Sequence, residues 1–72
     1  MVEIIIHDDG YGDNSLQIVM VAIDSKHFKF LVQNKSGQSC FMHDANTPHY
    51  FNTVVEAVEA FNIVEDYERS DE

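Results

Sequence analysis

Seventy-two residues with a formal charge of −9, thirteen acids against four Lys or Arg, make one small acidic domain. So few cations argue against direct binding to a nucleic-acid backbone or an anionic membrane, both of which need Lys and Arg to replace counterions. A single cysteine, Cys40, excludes an internal disulfide, and a chain this short buries only about 60–65% of its extended surface, so a homo-oligomer or a metal would compensate for a thin core.

The free thiol suits a reducing compartment. Met1-Val2-Glu3 lacks a basic leader, and Ile4-Ile5-Ile6 is too short for a signal or a membrane span. A cytoplasmic location is expected. Asn34-Lys35-Ser36 matches a glycosylation acceptor only formally in such a protein.

Residues 2–7, VEIIIH, read as a first strand. Three successive isoleucines suggest burial on both faces, hence a central position or an oligomer seam. Residues 8–14 form a turn-rich connection, with Gly10 and Gly12 beside Asp9 and Asp13. Residues 15–23 give the most convincing strand, with Leu16, Ile18, Met20 and Ala22 on one face and Gln17, Val19, Val21 and Ile23 on the other. Asp24-Ser25 reads as a hairpin turn, although it lacks the usual glycine. In residues 26–33, Phe28, Phe30 and Val32 alternate with His27, Lys29, Leu31 and Gln33. Asn34-Lys35-Ser36-Gly37 signals a second hairpin, and residues 38–42 read as a short fourth strand. Pro48 forces the 43–50 loop to break from it.

Residues 51–68 carry the one long helical periodicity. Val54, Ala57, Val58, Phe61 and Val64 form an apolar stripe, opposed by Glu56, Glu59, Asn62 and Asp66. Ala60, Ile63 and Tyr67 form a secondary strip. Asn52 or Thr53 can cap the start, and Thr53 with Glu56 has capping-box spacing. The end has no Gly or Pro, and Glu65, Asp66 and Glu68 oppose the dipole, so fraying is expected after about residue 66. The expected fold is a two-layer α+β domain over residues 1–68. Its four-stranded antiparallel sheet, in the order β-β-β-β-α, is covered on one face by the C-terminal helix, and residues 69–72 are an acidic, disordered tail. One helix covers one sheet face, so Val19, Val21, Ile23 and Leu31, together with Ile63 on the helix, are expected to form a homodimer contact.

Chemical motifs are sparse. His7, Asp8, Asp9 and Asp13 suggest calcium, but the loop lacks the glutamate that closes an EF-hand. A Gly-Asp turn with solvated acids explains them. Cys40, His43 and His49, with Asp44 or His7, suggest zinc, yet there is no second Cys or His pair and strand alternation turns Cys40 inward. A Cys40 nucleophile served by His43 or His27 would need an oxyanion hole that no motif supplies. Phe28 and Phe30 near Lys26 and Lys29 weakly suggest a base-stacking sheet, but a helix needs those aromatics as core. The reading is therefore of a non-enzyme with no cofactor and no metal.

Charge remains. Residues 51–72 hold seven acids against Arg69, net −6, whereas residues 26–50 hold Lys26, Lys29 and Lys35 against Asp44, net +2. Glu56, Glu59, Glu65 and Asp66 on the helix, and Asp8, Asp9 and Asp13 on the loop, form two acidic surfaces expected to face a basic protein partner. The bland reading is a charged surface that keeps the domain soluble. Small size, acidity and the lack of an active-site motif match the general type of small phage or mobile-element inhibitor of nucleic-acid enzymes, acting by occupancy or nucleic-acid mimicry. The alternative is a structural or accessory homo-oligomerising domain, and behind it a metal-binding or sensory one.

Overall fold

The computed structural model describes residues 1–70, and Asp71 and Glu72 lie outside it. The order is β1 (Val2–Asp8), a 3-10 turn (Gly12–Asn14), β2 (Leu16–Ala22), β3 (Phe28–Asn34) and α1 (Val54–Arg69). The three strands form an antiparallel meander, β1-β2-β3. The fold is α+β with one C-terminal helix over the sheet.

The expected fourth strand is a correction. Residues 38–42 make only isolated bridges, Gln33 with Ser39 and Met42 with Pro48, and the slot beside β3 is filled in two pieces. The Cys40 amide donates to the Val32 carbonyl at 2.8 Å, after which the chain leaves the sheet. It returns at Phe51, which exchanges both backbone bonds with Phe30 at 2.9 and 2.7 Å. The excursion is closed on itself: the His49 amide donates to the Phe41 carbonyl at 2.9 Å and the His43 amide to the Thr47 carbonyl at 2.8 Å. Pro48 has no amide to give a ladder, so this stretch pairs as a looped-out hairpin rather than as a strand. The edge of β3 is still closed, by parts of two segments.

Each turn is set by a carboxylate or amide side chain that replaces water at loose backbone N–H groups. Asp24 Oδ1 accepts from the amides of Lys26 and His27 at 2.8 and 2.9 Å, which is how this hairpin manages without glycine. Asn34 Oδ1 does the same for Ser36 and Gln38, at 3.1 and 3.0 Å, while Gly37 takes φ of 93°.

The main core joins Leu16, Ile18 and Val32 of the sheet to Ala57, Ala60 and Phe61 of α1, with Phe30, Cys40, Phe41, Phe51 and Val64 packed around them. The helix is thus rolled from the expected stripe. Ala57, Ala60, Phe61 and Val64 face the sheet, whereas Val54 and Val58 stay 44% and 40% exposed. The physical reason is placement. α1 packs across β2 and β3, where two alanines permit close approach, and it reaches β1 at His7, whose ring meets Phe61 edge-on at 4.9 Å.

The second sheet face is also corrected. Val19, Val21 and Leu31 are buried within the single chain, with Tyr50 packed on them. Phe51 fills the helix side of its slot, so alternation turns Tyr50 to the opposite face, and the Lys29 ammonium lies 5.9 Å from the Tyr50 ring. A polar row completes this cover: Gln33 donates to Gln17 and Gln17 to Asp8, each at 2.9 Å.

The C-terminal end of α1 departs most from expectation. Thr53 caps the start, its Oγ1 accepting from the Glu56 amide at 3.2 Å. The helix runs on to Arg69, past the expected limit at 66, and Arg69 is tied down. Its Nη2 donates to Asp9 Oδ2 at 2.8 Å and to the Asn14 carbonyl at 3.0 Å, and its guanidinium lies 3.7 Å from the Tyr11 ring centre. Of the expected tail, Arg69 is helical, Ser70 donates its hydroxyl to the Tyr67 carbonyl, and Asp71 and Glu72 lie outside the described residues.

Candidate protein-binding surface

A helix turns about 100° per residue, so Glu56, Glu59, Ile63, Asp66 and Tyr67 fall within roughly one third of its circumference. These five are exposed, and Ile63 and Tyr67 are 67% and 80% so. The outward side of α1 therefore carries Ile63 among Glu56, Glu59 and Asp66, with Tyr67 at the C-terminal edge of the group. Glu65 is half-buried and turns toward Asn62, Val54 and Val58. Glu68 lies at the margin beside Cys40, Phe41 and Tyr67.

The loop acids do not act as a second patch of the same kind. The Asp9 side chain is 3% exposed, its Oδ2 held by Arg69 and its Oδ1 by the Leu16 amide at 3.0 Å. It fastens the helix end to the start of β2. Asp8 is bonded to Gln17 and to the Gly10 amide at 2.7 Å, and those hydrogen bonds hold its carboxyl below the usual aspartate range. Asp13 is exposed near Asn14. The missed signal was Arg69: the one cation among seven acids in the last 22 residues invites a search for an acid elsewhere that needs it.

Of the expected oligomer contacts, Val19, Val21 and Leu31 are buried inside the protomer, while Ile23 and Ile63 are exposed. The structure instead bares β1. All seven of its residues are exposed, so it is neither central nor buried on both faces. A groove of about 360 Å³ beside it is lined by Ile6, His7, Ile18, Val54, Val58 and Phe61 among others.

Among the described residues, no three His, Cys, Asp or Glu side chains converge as a metal site. Burial first, and then the Glu68 carboxylate, raise the Cys40 thiol above its ordinary pKa, the opposite of an activated nucleophile. Asp24 and Asp44 have lowered pKa values, held by the amides of Lys26 and Asn46. Their role is in turns. No helix among the described residues is long and apolar enough to cross a membrane. No protein-family model, curated protein or solved structure matches the chain.

Proposed function

We propose that the protein is a non-catalytic binding module whose helix α1 docks on a basic protein by its outward face. The observation that supports this reading is the mixed character of that face: Ile63, largely exposed, sits among Glu56, Glu59 and Asp66, with exposed Tyr67 at their edge, on a capped and anchored helix. Protein interfaces are commonly built as an apolar, aromatic-containing centre within a polar rim. A rim of carboxylates on a rigid rod selects a cationic partner and speeds encounter with it. Carboxylates spaced along such a rod resemble a phosphate row, so a nucleic-acid-binding enzyme is the partner class this reading favours, inhibited by occupancy of its basic groove.

Affinity capture from the native cell extract, at low and high salt, tests it. One basic protein should be retained at low salt and released at high salt. Glu56→Lys with Glu59→Lys should weaken that binding by at least about tenfold while the fold persists, since each rim charge contributes through long-range attraction. Undiminished binding by the folded double variant would refute the reading. A second reading, a homo-oligomerising accessory domain, is favoured by a different observation, the bare strand β1.

A further inference from the structure

We infer that β1 is a self-pairing edge: two copies of the chain join β1 to β1 antiparallel, with Ile4 of each on the two-fold axis. This does not rest on the acidic helix face, which lies elsewhere.

The direction of the backbone groups carries the inference. Odd-numbered residues along β2 bond toward β3, as the flanking Ile23 amide does to the His27 carbonyl and the flanking Ser15 carbonyl does to the Lys35 amide. Even-numbered ones therefore bond toward β1, as Leu16 does with Asp9. Through the register Val2 with Ala22 and Ile4 with Met20, the amides and carbonyls of Val2 and Ile4 point into the sheet, and those of Glu3 and Ile5 point out. Among the described residues, neither Glu3 nor Ile5 has a backbone partner on that side. At Ile6 the register shifts, and two residues, Ile6 and His7, stand opposite Ile18. The bulge ends the outward ladder after Ile5 and turns both side chains toward the helix side, where both line the groove.

A free edge of this kind takes another strand, and the residues select a copy of itself. Pairing about Ile4 places Glu3 opposite the partner's Ile5 and Ile5 opposite the partner's Glu3, which makes four backbone hydrogen bonds. Pairing about Glu3 would set two carboxylates face to face, which is unfavourable. Pairing about Ile5 would bring Glu3 to His7, beyond the bulge, and leave two bonds. Only the Ile4 register satisfies all the outward groups of Glu3 and Ile5 without opposing like charges.

An antiparallel pair has its dyad perpendicular to the sheet, so both helices lie on one side of a six-stranded sheet. Val2, Ile4 and Ile6, between 42% and 57% exposed in the single chain, then form a continuous apolar floor between them. A contact of one short strand and its neighbouring side chains is small by the standard of stable interfaces, so the dimer should form only at raised protein concentration. Two copies of charge −9 repel, so added salt should tighten the dimer, the opposite of its effect on a basic partner.

Sedimentation of the full chain across micromolar to near-millimolar concentration tests this. The expected result is a monomer–dimer equilibrium strengthened by salt. Ile5→Pro removes one outward amide per chain and leaves the β1–β2 ladder intact, so it should raise the dimer Kd by about tenfold or more. Ile4→Lys, which sets two ammonium groups on the axis, should abolish the dimer, and circular dichroism checks that each variant is folded. A concentration-independent monomer overturns the proposal, including one that accepts only foreign strands. So does a dimer indifferent to the folded variants. If Ile5→Pro fails to fold, Ile4→Lys alone decides.

Discussion

The two edges of the sheet are built to opposite plans. Beside β3, the chain supplies its own cover: Gln38 and Cys40, then Phe51 after the looped-out excursion, bond to the outward groups of Asn34, Val32 and Phe30. Beside β1 no other segment among the described residues pairs, and every residue of that strand stays exposed. The helix follows the same asymmetry, lying over β2 and β3 and leaving Val54 and Val58 at the rim of a groove. One edge is finished within the chain. The other keeps its apolar side chains and unpaired backbone groups available, and this division determines which substitutions should unfold the protein and which should only change its associations.

The largest effect is expected at Val21→Asp. Val21 lies in the central strand, 3% exposed and packed in the cluster with Val19 and Leu31. A carboxylate there has no partner, so the cost should exceed about 4 kcal/mol and the chain should unfold instead of dissociating. Urea titration followed by circular dichroism reads it; a folded Val21→Asp protein would mean that this face is open. Next comes Arg69→Ala, which leaves Asp9 buried without its cation and frees the helix end. A loss of about 2–4 kcal/mol is expected, on the scale of a half-buried ion pair with one member removed, together with faster exchange of the last-turn amides. On the open edge, Ile5→Pro should cost the monomer only about 1 kcal/mol, because its amide has no backbone partner among the described residues. Acid should have the smallest and most diffuse effect. The carboxyls of Asp8, Asp24 and Asp44 are held below their ordinary pKa by hydrogen bonds. The stability they add is present above the unfolded aspartate value of about 3.9 and is lost as pH falls through the lower folded values. Melting temperatures should therefore be flat near neutrality and drop below about pH 4, and Asp24→Asn should blunt that drop.

The elements that were legible in the sequence are those specified locally. Period-two alternation placed β2 and β3 within two residues of their ends, and Thr53 with Glu56 placed the start of α1. What alternation cannot report is which strand is flanked. Ile4-Ile5-Ile6 read as buried on both sides, yet the N-terminal strand of a meander is an edge, and the bulge at Ile6 sends two successive side chains to one face. The helix roll was hidden for a related reason: the valine stripe is the more apolar one, but the alanines fit closer to the sheet. Residues 43–50 form the expected loop, but residues 38–42 are not a strand and Phe51 rejoins the sheet, because half a strand at each end of a loop carries no period. The pairing of Arg69 with Asp9 spans 60 positions and leaves no local mark. Of the candidate surface, the exposed acids of the helix were visible from their spacing, while the withdrawal of Asp9 from solvent was not.

Amide hydrogen exchange followed by NMR at increasing protein concentration measures the contrast between the two edges residue by residue. The amides of Phe30, Asn34, Cys40 and Phe51, each bonded within the chain, should be protected at every concentration. Those of Glu3 and Ile5 should exchange freely in dilute solution and become protected as dimer forms. Glu3 and Ile5 amides that are already protected in the monomer, or that stay unprotected at the highest concentration, would contradict it.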